Sequence, residues 1–126
     1  MEGNGQARGI EHVEAAVALL RKRLPAERRD TVERFAREYF RQVAPEDLAE
    51  REPADLYGAA LSHWNFGHRH SPGTARVRVL NPTPEEHGWQ SSHTVIEIVN
   101  DDMPFLVDTV TIEVNRHGLT LHLFIH

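Results

Sequence analysis

The chain has 126 residues, a formal net charge of −5 and no cysteine. This length allows one compact domain or part of a larger one, and the lack of cysteine excludes disulfides, thiolate metal sites and cysteine nucleophiles. The negative charge argues against binding nucleic acid through its phosphates, and because the chain has neither a signal peptide nor an apolar run near the roughly 18 residues that span a bilayer, we expect a cytoplasmic protein.

The first 72 residues are predicted to be mostly helical. Residues 1–9 carry three glycines and no apolar period, which is typical of a flexible leader. Two amphipathic helices follow, separated by Pro25, and we expect them to pack as a hairpin. Their apolar stripes are Ile10, Val13, Ala16, Val17, Leu20 and Leu24, then Val32, Phe35, Ala36, Tyr39, Phe40 and Val43. Pro45 and Pro53 introduce two more helices, so we interpret residues 10–72 as a helical subdomain.

The apolar period changes from helical to alternating after Ser71-Pro72-Gly73, which places a domain boundary there. Alternation predicts a half-buried strand over residues 75–79 and a second strand over residues 93–99. Asn81-Pro82-Thr83-Pro84 closes the first strand, because proline cannot extend a paired ladder. The sequence therefore predicts that a sheet begins where the helical subdomain ends.

A further helix and strand complete the pattern. Pro104 is suited to the first turn of a helix that Gly118 ends, and residues 119–126 alternate again. A crossover of this length favours parallel strands and a right-handed connection. Because the alternation continues to the last residue, we expect residues 73–126 to be a unit that is truncated at its C-terminal end.

The turn before this helix is a candidate site for an amino-acid effector. It consists of Asn100, Asp101, Asp102, Met103 and Pro104. A strand-to-helix turn leaves backbone N–H groups that can receive the carboxylate of a small ligand, and either aspartate could meet the ammonium group of an amino acid. The same carboxylates would also suit a structural helix cap. The sequence leaves both interpretations open.

Two other groups of polar residues invite metal binding or catalysis: His63, His68 and His70, and then His87, Ser91, Ser92 and His93. The histidines of the first group are five and two residues apart, which does not suit ligands on one helix face. The second group lacks a nucleophile elbow and an oriented acid. We therefore predict no metal site and no hydrolase site, and we interpret Trp64 and Trp89 as packing anchors between the two halves.

Two stretches carry a resemblance to a known family: APEDLAEREPADLYGAALSHWNF and VRVLNPTPEEHGWQSSHTVIEIVNDDMPFLVDTVTIEVNRHGLTLHLFIH. They resemble the N-terminal region of the large bacterial NAD-specific glutamate dehydrogenases. The resemblance implies an α+β fold, in which the helical subdomain precedes a partial ACT-like (ferredoxin-like) βαβ sandwich over residues 73–126. Residues 95–99 would be its first strand, 101–104 its ligand-type turn, 105–117 its helix and 119–126 its second strand.

The resemblance also implies a function. The segment would be a noncatalytic regulatory or assembly region of a long oxidoreductase that converts L-glutamate, NAD and water to 2-oxoglutarate, ammonium and NADH. The catalytic and NAD-binding residues of that family lie far downstream, so none is assigned here. The implied partners are the remainder of the dehydrogenase chain, sister subunits in a homo-oligomer and an amino-acid effector. A freestanding ACT-like amino-acid-binding module is the alternative.

Overall fold

The computed structural model describes residues 2–41, 43–68, 73–101 and 106–121. Four helices precede the first strand, as the sequence predicts, and the fold class is α+β. The elements are α1 (Glu2–Arg23), α2 (Ala26–Arg41), α3 (Pro45–Ala49), α4 (Pro53–Gly67), β1 (Arg76–Leu80), α5 (Pro84–His87), β2 (Val95–Val99) and α6 (Leu106–Arg116). Within these ranges, no helix combines the length and the apolar character needed to cross a membrane.

Helices α1 and α2 form the predicted antiparallel hairpin, with the break at Pro25. Arg37 donates two hydrogen bonds to Glu14, at 2.8 and 3.0 Å, and Arg21 contacts Asp30 and Glu33 near the turn. All these side chains lie at the surface, where such ion pairs contribute at most about 1 kcal/mol each. The hairpin is therefore held mainly by its buried apolar stripes.

Helix α1 begins at Glu2, so the predicted start of regular structure near Ile10 is too late. The cause is close packing against α3. A Cβ atom added to Gly9 would lie 2.0 Å from the carbonyl oxygen of Pro45, so only glycine fits there. Glycine lowers helix propensity by about 1 kcal/mol, but here it lets the two helices approach each other. The residues predicted as a flexible leader are helical from Glu2 onward for this reason.

The main apolar core lies in the helical half. Its fully buried members belong to α1, α2, α3, α4 and the α2–α3 connection: Ala16, Leu20, Val32, Ala36, Phe40, Val43, Leu48, Leu56, Tyr57 and Ala60. Most of them occupy the apolar stripes that the helical period predicts. Burying each large aliphatic or aromatic side chain stabilises the fold by about 1.5–3 kcal/mol, so the helical half supplies most of the packing energy.

Strands β1 and β2 pair antiparallel, and Arg78 lies opposite Glu97 at the centre of the ladder. The parallel pairing predicted from the sequence concerns β2 and residues 119–126. Residues 119–121 are not in a strand, and residues 122–126 lie outside the described ranges. The parallel pairing thus stays a prediction.

The connection between the two strands passes over α4. Trp89 is only 6% exposed and packs on Gly58, where an added Cβ would lie 2.3 Å from the Trp89 Cβ. One residue further on, the backbone N–H of Gln90 donates to Asp55 Oδ1 at 3.0 Å. The structure therefore confirms Trp89 as a packing anchor between the helical half and the sheet.

Candidate functional site

The predicted effector turn begins directly after β2. Asn100 is half-buried and Asp101 is exposed, and Asp101 Oδ2 accepts a hydrogen bond from the backbone N–H of Gly73 at 2.6 Å. This bond ties the turn to the segment between α4 and β1. Asp102, Met103 and Pro104 lie outside the described residues, so the amino-acid site as a whole stays a prediction.

A cleft of 1810 Å³ lies beside this turn. One wall consists of aromatic residues of α2 and α4, another of β2, and the third of the apolar stripe of α6. The principal lining residues are Phe35, Tyr39, Trp64, Ile96, Ile98, Val107, Val110 and Val114. Pockets for small ligands usually have volumes of about 300–1,000 Å³. The cleft is therefore a wide groove, and Asn100 lies at its edge.

A buried polar cluster joins the sheet to α4 at the wall of this cleft. Glu97 is 2% exposed, and its two carboxylate oxygens accept bonds from different donors. Ser62 Oγ donates to Glu97 Oε2 at 2.9 Å, and Arg78 Nε donates to Glu97 Oε1 at 2.8 Å, with Arg78 Nη2 also in contact with that oxygen. Arg78 Nη2 in turn donates to Ser62 Oγ at 2.8 Å. The buried negative charge is thus paired and hydrogen-bonded, as burial requires.

Arg78 gains support from α4 as well. Its guanidinium lies over the ring of Phe66, 4.8 Å from the ring centroid, and Arg76 lies over the same ring at 4.5 Å. Arg76 also donates to the backbone carbonyl of Phe66 at 3.0 Å. The charged face of the sheet is therefore bound to α4 through hydrogen bonds and cation–π contacts.

Tyr39 and His63 form a second polar pair near Glu97. The Tyr39 hydroxyl lies 3.2 Å from His63 Nδ1, and the two rings meet edge to face with centroids 5.4 Å apart. Burial raises the pKa of Tyr39 above its ordinary value, and the negative charge of Glu97 raises that pKa further. Tyr39 therefore stays a neutral hydroxyl at physiological pH.

The opposite face of the sheet is apolar and open. The register places Val77 opposite Ile98 and Val79 opposite Ile96, so these four side chains share one face. Val77 and Val79 are each 62% exposed and Ile96 is 44% exposed. In the part of the chain that the structure describes, the face toward α4 thus buries Glu97 and Leu80, while Val77 and Val79 are exposed on the opposite face.

Two of the histidines that sequence analysis singles out contact aromatic residues of the helical half. His63 contacts Tyr39, and His68 stacks on Trp64 with ring centroids 5.9 Å apart, while His70 lies outside the described ranges. No cluster of three or more potential metal ligands occurs among the residues that the structure covers. His63 and His68 therefore belong to packing contacts of α2 and α4.

The serine and histidine group of the β1–β2 connection serves its own turns. His87 Nδ1 accepts from the Thr83 backbone N–H at 3.1 Å, and Ser91 Oγ accepts from the His93 backbone N–H at 3.1 Å. Both are local contacts with the backbone. The arrangement thus provides turn capping in place of a nucleophile and its base.

Sequence analysis missed the polar cluster of Ser62, Arg78 and Glu97. Arg78 and Glu97 are 19 positions apart, and only the antiparallel register brings them together. The available signal is a basic residue at the centre of one five-residue strand and an acidic residue at the centre of the next. Pairing those strands in a central register would have predicted the contact.

Comparison with known proteins identifies the family. Residues 35–126 match the family described as glutamate dehydrogenase, ACT1 domain. The NAD-specific glutamate dehydrogenase of Halomonas elongata is 50% identical over 103 residues, which cover 82% of this chain and 6% of that protein. The enzyme of the same name from Pseudomonas aeruginosa is 43% identical over 88 residues, covering 70% of this chain and 5% of that protein. No solved structure matches the chain significantly.

The α+β fold and these matches define an ACT1-type domain, and the family match begins within α2 and includes α3 and α4. The chain belongs to the ACT1-domain family of the glutamate dehydrogenases. Its match to the two bacterial relatives spans only 6% and 5% of their lengths, which fits an N-terminal region of that large enzyme.

Proposed function

We propose that this chain is a noncatalytic regulatory or assembly segment of an NAD-dependent glutamate dehydrogenase. The observation that carries the proposal is the ACT1-domain match over residues 35–126, together with the small part of each relative that the match spans. In the proposed parent enzyme, residues elsewhere in the polypeptide oxidise L-glutamate with NAD and water to 2-oxoglutarate, ammonium and NADH. The parent would be a cytoplasmic homo-oligomer.

The chemistry of the described residues supports a noncatalytic role. Both oxygens of Glu97 are engaged by Ser62 and Arg78, and the Tyr39 hydroxyl is paired with His63. These groups hold elements together, whereas general acid–base chemistry needs a titratable group within reach of a reacting atom. The wide cleft and the open apolar face of the sheet are suited to packing against other parts of a protein.

The test is the reading frame of the native gene. We expect the frame to continue past the codon of His126, through a completed ACT-like sheet, to a dehydrogenase region with a GxGxxG dinucleotide motif. A stop codon immediately after His126 would overturn the proposal. Purified chain should also reduce no NAD with L-glutamate, and turnover that survives rigorous purification would contradict the noncatalytic role.

A regulatory role predicts an amino-acid effector at the turn, because Asn100 borders the cleft and the Asp101 carboxylate lies at the start of the turn. Calorimetry with glutamate, aspartate, arginine and branched-chain amino acids tests this role. Saturable heat that Asp101→Ala abolishes would support it, and Asp30→Ala is the matched control, because the Asp30 side chain is 87% exposed on α2 and lies outside the lining of the cleft. Equal heats for both variants would contradict an effector site at Asp101.

A further inference from the structure

The exposed face of the two-stranded sheet has the composition of an interior surface. Its members are the four β-branched side chains Val77, Val79, Ile96 and Ile98, arranged as two directly opposed pairs. Directly opposed apolar side chains on one sheet face usually pack against another layer of structure. Here the layer provided by α4 covers the other face, where Glu97 and Arg78 bind Ser62.

The orientation of the sheet follows from the polar cluster. Turning the apolar face toward α4 would expose the four β-branched residues less, but it would break the contacts of Glu97 with Ser62 and of Arg78 with Phe66. Because successive side chains point to opposite faces, the charged and apolar residues cannot both face α4. The cluster therefore fixes the apolar face outward.

We propose that this apolar face docks an apolar segment of the same glutamate dehydrogenase polypeptide that lies outside these 126 residues. The inference rests on the proposed function. In the relatives, the matched region is only 6% and 5% of the polypeptide, so the parent has ample chain to cover the face. The docking surface of that segment is apolar and uncharged, since a buried charge without a partner would be costly.

Two other occupants fit the structure less well. Helix α6 borders the cleft together with Ile96 and Ile98, but Val77 and Val79 lie outside the cleft lining and are each 62% exposed. A second copy of the chain would bring together two molecules that each carry a net charge of −5, which opposes association. Among the described residues, α6 thus accounts for the β2 half of the face but not for the β1 half.

Cysteine labelling tests the proposal directly, because the chain has no cysteine of its own. Val77→Cys and Val79→Cys place a thiol on the face, and Glu38→Cys is the matched control, since the Glu38 side chain is 65% exposed on α2. Each variant is made in the 126-residue chain and in the full polypeptide, and maleimide labelling is followed by peptide mass spectrometry. Hydroxyl-radical footprinting of unsubstituted Val77 gives a measurement that does not depend on any substitution.

We expect all three thiols to react at similar rates in the 126-residue chain. In the full polypeptide, labelling at positions 77 and 79 should slow by about tenfold or more, because a buried thiol reacts only when the structure around it opens locally. Labelling at position 38 should stay unchanged. The proposal would be overturned if positions 77 and 79 are labelled as fast in the full polypeptide as in the 126-residue chain. Slow labelling in the 126-residue chain would also overturn it: if dilution restores the rate, a second copy covers the face, and otherwise residues of this chain do.

The gene sequence separates this inference from the proposed function. If the reading frame ends after His126, the proposed function fails. If the frame encodes a dehydrogenase and positions 77 and 79 still label freely in it, the docking inference alone fails.

Discussion

At the scale of single residues, Glu97 is the most constrained group in the sheet, because its carboxylate is 2% exposed and depends on Arg78 and Ser62 for its bonds. Removing one partner of a buried ion pair costs about 3–5 kcal/mol, whereas replacing both partners by apolar residues is often nearly neutral. Since Arg78 is 41% exposed, water can partly replace it. The loss should therefore lie at or somewhat below the lower end of that range.

We predict that Arg78→Met lowers the free energy of unfolding by about 2–3 kcal/mol and that Arg78→Met combined with Glu97→Leu recovers most of the loss. Urea unfolding measures both. Arg76→Met is the control, because Arg76 also lies over Phe66 but makes no bond to Glu97, and it should cost less than about 1 kcal/mol. If the double variant loses as much stability as Arg78→Met alone, then Glu97 in Arg78→Met does not behave as a buried charge without a partner.

Tyr39 gives a prediction about pH. Its pKa is raised by burial and then by the charge of Glu97, so the folded state favours the protonated hydroxyl. A group whose pKa is raised in the folded state contributes its full stability at pH values below its pKa in the unfolded chain, which is about 10 for tyrosine. That stability is lost as the pH rises toward the pKa in the folded state. We expect the free energy of unfolding to fall above about pH 10, by at most about 1.4 kcal/mol per pH unit for this group. Tyr39→Phe should lack that part of the decline.

The urea midpoints of the unsubstituted protein and of Tyr39→Phe are compared between about pH 8 and pH 11. All other titrating groups are shared, so the difference between the curves isolates Tyr39. A constant offset is expected at lower pH, since Tyr39→Phe also removes the contact with His63. Parallel curves throughout the range would mean that Tyr39 titrates as it does in the unfolded chain.

At the scale of elements, the helices could be predicted from the sequence far better than their contacts could. The 3.6-residue period found the stripes of α1 and α2 because each helix buries its own local pattern. Three glycines near the start of α1 look like helix breakers in isolation, and the close approach of α3 at Gly9 could not be read from the sequence. Similarly, strand alternation locates β1 and β2 but cannot say which face is buried. That choice depends on Ser62, a residue of α4.

Gly5 and Gly9 of α1 give a matched pair of substitutions. A Cβ at Gly9 would lie 2.0 Å from the Pro45 carbonyl oxygen, whereas a Cβ at Gly5 would lie 3.7 Å from Glu46 Cγ, an ordinary van der Waals distance. We therefore expect Gly5→Ala to stabilise the protein by up to about 1 kcal/mol through helix propensity. Gly9→Ala gains the same propensity but must displace α3, and we expect a net destabilisation.

Thermal unfolding followed by circular dichroism gives the sign of each change, and hydrogen exchange of the α3 amides shows whether that helix has moved. Faster exchange in α3 for Gly9→Ala and unchanged exchange for Gly5→Ala would confirm close packing as the cause. If both variants are stabilised, α1 does not lie against α3 at Gly9.

At the scale of the whole molecule, stability is unevenly distributed. Among the described residues, the core cluster lies between Ala16 and Ala60, while the strand half adds the buried residues Leu80 and Trp89, both of which face the helical half, and the paired Glu97. A two-stranded sheet alone is marginally stable at best in water. The sheet therefore depends on α4, and the sequence change after residue 72 marks a difference in stability as well as in secondary structure.

We predict that a fragment of residues 1–72 keeps a helical spectrum and a cooperative thermal transition, because it retains the whole core cluster. A fragment of residues 73–126 should show neither a cooperative transition nor a buried Trp89, since Gly58 and Asp55 are missing. Mixing the two fragments should shift Trp89 fluorescence toward that of the intact chain, and a Gly58→Ala version of the first fragment should not, because its Cβ would occupy the position of the indole. A cooperative transition in the second fragment alone would place a sufficient core within residues 73–126 and would make the helical half dispensable for folding the sheet.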